Sequence, residues 1–244
     1  MSIKDEEDEP RDYASPACFM HEVDPAYMGL APSGHSRPWI TGWRKGERQR
    51  LIDARRDLSA ADREARTGRI RAALDSVLED IAGKSVSVYW PFRGEPDLRG
   101  WMASLNDRGT VCLLPIVTEK SKPLTFRSWR RGEKLGRGVW DIPIPVDGEE
   151  MTPDIVIAPL VGFDDACFRL GYGGGFFDRT LAARNPRPLT VGVGFALQYI
   201  PTIHPLEHDI SMDIIVTENQ VRFRKGIDGS SGERPQDSRY GLDK

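Results

Sequence analysis

The sequence predicts an α/β fold: a mostly parallel (mixed) sheet covered by helices on both faces, in three α/β/α layers. Three observations predict it. Short apolar runs of strand length alternate with stretches of helical period. The run at residues 154–159, Asp-Ile-Val-Ile-Ala-Pro, is nearly all apolar, as a strand covered on both faces must be. The 244 residues are 39% apolar, enough to supply one core.

The elements follow in order. A first helix is expected from residue 43 to about 57, studded with Arg44, Lys45, Arg48, Arg50, Arg55 and Arg56. Ser59 is a good N-cap for a second helix, with Asp62 at the N3 position. Ile70, Leu74, Val77 and Ile81 recur there at helical spacing, and Gly83 is placed to end it. Residues 85–90 read as a strand, and Leu98, Trp101, Met102 and Leu105 form one face of a short helix. A strand at 110–114 and a weaker extended piece at 124–126 precede the apolar strand at 154–159. A helix from about 176 to 183 follows a glycine-rich loop, and strands at 189–195 and 212–216 complete the sheet.

Composition divides the chain into three zones. Residues 1–41 form an N-terminal extension, partly disordered or a docked arm; 42–225 carry the folded α/β domain; 226–244, almost without apolar residues, read as a disordered tail. In the extension Cys18 and His21 form a Cys-x-x-His pair, but no second pair completes a zinc site, so docking through Tyr13, Phe19, Met20, Tyr27 and Met28 is the preferred reading.

The net charge of -3 and the lack of a basic-aromatic module argue against nucleic acid. No run approaches the ~20 apolar residues of a membrane span. Cys18, Cys112 and Cys167 are odd in number and far apart, which suits reduced thiols in a cytoplasmic protein, and the acidic run at 4–9 is the opposite of a targeting leader. A monomer or weak homodimer is expected.

The chemistry centres on residues 169–179, Arg-Leu-Gly-Tyr-Gly-Gly-Gly-Phe-Phe-Asp-Arg. Gly171, Gly173, Gly174 and Gly175 let backbone N–H groups approach an anion, and a helix begins directly afterwards. Arg169 and Arg179 bracket the loop with positive charge, and Asp178 is placed to face a metal ion that accompanies phosphates. The plain alternative is a flexible turn. The spacing is not that of a Walker loop, since no Gly-Lys-Ser/Thr follows, nor does the loop follow the first strand of a dinucleotide fold. Its place between strand and helix with flanking arginines favours anion binding.

This segment resembles the signature of the 5-formyltetrahydrofolate cyclo-ligase family. Other segments fall in the family's order: Arg48 and the helix start at Leu58 and Ser59; Gly94, Glu95, Pro96 and Asp97 after the first strand; and Gly194 through Gln198, Pro201, His208, Asp209, Asp213, Thr217 and Glu218. The resemblance covers about 44–221 and implies ATP- and Mg²⁺-dependent cyclisation of 5-formyltetrahydrofolate to 5,10-methenyltetrahydrofolate.

It implies roles as well. Arg44 or Lys45, with Arg48, would contact nucleotide phosphates. Arg169 would be catalytic, and with Leu170, Gly171, Tyr172, Gly173, Gly174, Gly175, Phe176 and Phe177 would form the nucleotide site. Asp178 and Asp213 would hold Mg²⁺. Glu95 would bind the pterin edge, and Trp140 or Trp129 would cover the folate. Three positions depart from the pattern: the family often reads Tyr-Tyr where this chain has Phe176 and Phe177, and usually Gly where it has Cys167. These departures motivate a second reading, a catalytically weak paralogue that binds folate or nucleotide as a regulator or carrier.

Overall fold

A computed structural model describes residues 35–226. The chain divides into two compact units, Met1–Thr41 and Gly42–Lys244. Of the first, the described residues are 35–41, where the His35 and Trp39 rings stack at 3.6 Å. The residues expected to form a docked arm or a Cys-x-x-His pair lie outside the described residues, as does the tail beyond 226.

Helix α1 spans Arg37–Arg56, starting earlier than the arginine-rich stretch suggested. Helix α2 spans Ala60–Val77 and is capped as expected, the Asp62 N–H donating to Ser59 Oγ at 3.0 Å. It ends before Gly83: the Leu78 N–H closes the last turn on the Leu74 carbonyl, and Leu78 has left helical backbone (φ -108°, ψ 57°). There follow β1 (Ser85–Ser87), α3 (Arg99–Asp107), β2 (Val111–Ile116), β3 (Thr125–Ser128), β4 (Leu135–Arg137) and β5 (Pro143–Pro145). Then come β6 (Ile155–Pro159), β7 (Gly162–Phe163), β8 (Arg169–Leu170), α4 (Phe176–Ala182), β9 (Leu189–Val193), β10 (Ile214–Val216) and β11 (Val221–Phe223).

The main sheet has seven strands in the order β11-β10-β9-β6-β1-β2-β3. Its five central strands are parallel, and β3 and β11 close the edges antiparallel. Side chains alternate between two cores, as strand period requires. Ile155 and Ile157 pack with Ile70 and Leu74 of α2 and Trp101, Met102 and Leu105 of α3. Ala158 packs on the other face with Leu181 of α4 and Ile215. Helices therefore cover both faces.

The topology fixes where a site belongs. From β1 the chain crosses through α3 to β2 on one side; from β6 it crosses through α4 to β9 on the other. The neighbours β1 and β6 thus send their connections in opposite directions, and the crevice beyond their carboxyl ends is where open α/β sheets bind ligands.

Two hairpins were not legible as periodic strands. In one, β7 and β8 pair antiparallel, and Asp164 shapes the turn by accepting the Ala166 and Phe168 N–H groups, each at 3.0 Å. In the other, β4 and β5 join through a tight turn in which Trp140 (φ 57°) and Asp141 (φ 60°) both adopt left-handed backbone and the Ile142 N–H donates to the Val139 carbonyl at 3.3 Å. That is the geometry of a type I′ turn, here built from residues other than the usual Asn-Gly.

Candidate active site

One cleft opens at the carboxyl ends of the central strands, enclosing about 1190 Å³ with its open mouth. Four parts of the chain wall it. The segment after β1 brings Tyr89, Trp90, Phe92 and Glu95; the end of β2 brings Pro115 and Val117; helix α1 brings Arg44 and Arg48; and the β4–β5 hairpin brings Val139, Trp140, Ile142 and Ile144. The floor is residues 169–178.

The β7–β8 hairpin delivers Arg169. Its guanidinium, 5% exposed, donates from Nη2 to Asp178 Oδ2 at 3.0 Å and lies over the Phe177 ring at 5.0 Å. The Arg169 Nε is buried with no hydrogen-bond acceptor. Asp178 also accepts the Ile210 N–H at 3.3 Å. The glycine loop requires glycine at particular points. Gly173 (φ 94°) and Gly175 (φ 63°) are left-handed, and a Cβ on Gly175 would stand 2.7 Å from Arg179 Nη1. Arg48 clamps the loop from α1, its Nε donating to the Gly171 carbonyl at 2.7 Å, and Arg179 turns back to the Gly174 carbonyl at 2.5 Å. Burial and the neighbouring Arg44 and Arg169 charges lower the Arg48 pKa, as expected where several cations converge on a site for an anion.

Arg44 lies in the cleft wall, held by Asp209 in a bidentate pair, and donates to the Ile203 carbonyl at 2.9 Å and the His204 carbonyl at 2.8 Å. Burial opposes the Asp209 charge, but the Arg44 hydrogen bonds and the Leu206 amide hold its carboxyl below the usual range. Lys45 is exposed and does not line the cleft, so of the two only Arg44 stands in its wall, with its donors already taken by Asp209 and the two carbonyls. The reason is helical geometry: successive residues on α1 point about 100° apart, and only one can face the cleft.

At the other end of the cleft Glu95 is buried among three partners. Its Oε2 accepts the Phe92 N–H at 2.9 Å, its Oε1 accepts the Tyr172 hydroxyl at 2.8 Å, and Arg55 Nη2 stands 3.6 Å from Oε1. Burial raises its pKa to about 7 against the opposing pull of Arg55, Tyr172 and the Phe92 amide. Arg55 is 0% exposed and tied to the carbonyls of Arg93, Leu160 and Phe92 as well as to the Tyr172 hydroxyl. A fully buried guanidinium is retained only with such partners.

Trp140, 55% exposed, stands at the cleft rim edge-on to Phe176 at 6.3 Å. Trp129 is buried in the α2/α3 core against Trp90 at 5.6 Å, so of the two candidates Trp140 is the one at the cleft. The other departures have plain structural accounts. Phe176 packs beside Leu124 and Phe126, Phe177 supports Arg169, and Cys167 adopts φ 61°, the conformation that suits a glycine at that position.

Asp213 is a correction. It lies before β10, at the amino end of a parallel strand and therefore at the opposite edge of the sheet from the cleft. Its Oδ2 accepts the Thr190 N–H at 2.9 Å and hydroxyl at 2.8 Å, and its Oδ1 takes Arg224 Nη2 at 2.9 Å. It caps two strand starts rather than holding a metal. Of the two carboxylates expected to hold Mg²⁺, the cleft contains only Asp178.

Sequence reading missed Arg55, Tyr89, Trp90, Phe92 and the hairpin residues other than Trp140 as neighbours of the cleft or of Glu95. Arg55 carried a signal: it sits one turn past Leu51, on the buried face of α1, where a solvated arginine has no place.

Comparison with known proteins adds a family likeness. The sequence pattern of the 5-formyltetrahydrofolate cyclo-ligase family matches residues 40–218. The chain is 30% identical over 152 residues to a Haemophilus influenzae 5-formyltetrahydrofolate cyclo-ligase, covering 58% of this chain and 80% of that one. It is 27% identical over 178 residues to the cyclo-ligase of Mycolicibacterium smegmatis, covering 70% and 91%. The NMR structure of Aquifex aeolicus 5,10-methenyltetrahydrofolate synthetase superposes with a TM-score of 0.67 at 29% identity, covering 80% of this chain and 98% of that one.

Proposed function

This chain belongs to the 5-formyltetrahydrofolate cyclo-ligase family, and from that premise we propose that its cleft uses ATP to cyclise 5-formyltetrahydrofolate to 5,10-methenyltetrahydrofolate, releasing ADP and phosphate. The observation that carries this reading is that one cleft joins a glycine loop flanked by arginines to a buried carboxylate, Glu95.

An amide oxygen is a poor leaving group. Transfer of the γ-phosphoryl group to the formyl oxygen turns it into a good one; N10 then attacks the formyl carbon and phosphate leaves with that oxygen. The protein's task is to align oxygen and phosphorus and to stabilise charge. The loop amides of residues 171–175 and Arg48 hold the phosphates. Arg169, buried and pinned by Asp178 and Phe177, presents a fixed positive charge to the transferring group. Asp178 fits Mg²⁺, which is usually held by one or two carboxylates with waters and phosphate oxygens and would neutralise charge between the phosphates. Glu95, as a carboxylate, accepts the amino-pyrimidinone N–H pair of the pterin, and Trp140 covers the folate.

The test is methenyltetrahydrofolate absorbance on mixing protein, 5-formyltetrahydrofolate, Mg²⁺ and ATP. ATP-dependent product is expected. Protein that binds ATP and folate yet forms no product would sink the reaction and leave the carrier reading, which the hydroxyl-free Phe176 and Phe177 motivate.

A further inference from the structure

Tyr172 stands in the phosphate loop, between Gly171 and the left-handed Gly173, but its side chain serves the other end of the cleft. Its hydroxyl donates to Glu95 Oε1 at 2.8 Å and accepts from Arg55 Nη2. Its ring sits 5.7 Å from Phe92, with the Arg55 guanidinium 5.7 Å above it. The other partners of Glu95 are fixed. Arg55 is anchored by three backbone carbonyls, and the Phe92 amide belongs to the same short segment as Glu95 itself. Tyr172 alone among them is carried by the glycine loop, whose backbone also takes Arg48 at the Gly171 carbonyl.

We infer that Tyr172 is a positioning residue that couples the two halves of the cleft, so that a phosphate loop closed on nucleotide sets the Glu95 carboxylate for folate. The inference rests on the reading of Glu95 as the pterin acceptor. The tyrosine hydroxyl already stands on Oε1; phosphates held by the loop backbone fix it there, leaving the remaining carboxylate lone pairs aimed at the pterin. By linkage, nucleotide tightens folate binding and folate tightens nucleotide binding by the same factor.

The experiment is calorimetric titration of the full-length protein with 5-formyltetrahydrofolate, without and with a saturating non-hydrolysable ATP analogue and Mg²⁺. In the unsubstituted protein the analogue is expected to tighten folate binding by roughly fivefold or more. Tyr172→Phe keeps the ring contacts and removes the bond; it is expected to bind the analogue normally and to bind folate equally with and without it. Its folate affinity in the presence of the analogue should fall by about tenfold to a hundredfold, the scale of a hydrogen bond to a charged group.

An enhancement of undiminished size in Tyr172→Phe, or no enhancement in the unsubstituted protein, overturns the coupling while leaving Glu95 as the folate acceptor. No folate binding by unsubstituted protein that takes the analogue overturns the Glu95 reading itself. Should Tyr172→Phe also lose the analogue, the coupling is overturned, because the side chain then serves the nucleotide end of the cleft directly.

Discussion

Arg169 and Asp178 meet across the glycine loop at 3.0 Å, one delivered by the second strand of a hairpin and the other by the first turn of α4. The pair closes the loop's two ends on each other and sets a cation beside a carboxylate at the place where phosphates and Mg²⁺ are proposed to bind. Arg169→Ala should lower kcat by about 10²–10³, the usual loss when one fixed donor to a transition state is removed. Arg169→Lys should recover only part of it, since an ammonium cannot both pair with Asp178 and reach a phosphate oxygen. The methenyltetrahydrofolate assay reads both.

The two carboxylates that the sequence suggested for Mg²⁺ should separate cleanly. Asp178→Asn is expected to raise the Mg²⁺ concentration needed for half-maximal rate. Asp213→Asn, which loses charge at a cap shared by Thr190 and Arg224, should lower the Tm and leave that Mg²⁺ requirement unchanged. A shifted Mg²⁺ requirement in Asp213→Asn would restore it as a ligand.

Binding of folate should depend on pH with a midpoint near the Glu95 pKa of about 7. The useful form is the carboxylate, so it is present above that pH and lost as pH falls through it. The KM for 5-formyltetrahydrofolate should therefore rise as pH drops from 8 to 6, with the steepest change at about 7. Glu95→Gln should raise the KM throughout and remove that step.

Glycines in this chain should respond in opposite directions. Gly175 is left-handed (φ 63°), and a Cβ there would meet Arg179, so Gly175→Ala should cost about 1–2 kcal/mol in backbone alone and weaken ATP binding. Gly68 lies inside α2 with ordinary helical backbone, and its added Cβ would find only Arg71 at 3.8 Å. Gly68→Ala should stabilise by about 0.5–1 kcal/mol with activity intact. Thermal melts and ATP titration distinguish them.

Trp140 is strained and exposed at once. Its left-handed backbone in a two-residue turn favours glycine, so Trp140→Gly should leave the Tm unchanged or raise it while the folate KM rises. An unchanged KM would remove Trp140 from the folate site.

The amino-acid sequence by itself determined the layers of the fold, because strand and helix periods are local: the apolar run ending in β6, the Ser59 cap and the alternation of elements need nothing but neighbouring residues. It also singled out the glycine loop, because closely spaced glycines flanked by arginines are contiguous in the chain. Only the tertiary structure decided which of two adjacent residues on α1, Arg44 or Lys45, faces the cleft, and that Asp213 belongs to the wrong end of a parallel strand to meet Asp178. It alone joined Tyr172 to Glu95, 77 positions apart in the chain, and to Arg55, 117 apart. Those contacts depend on the direction in which each side chain leaves its element and on which strand ends the sheet order brings together, and local residue patterns encode neither.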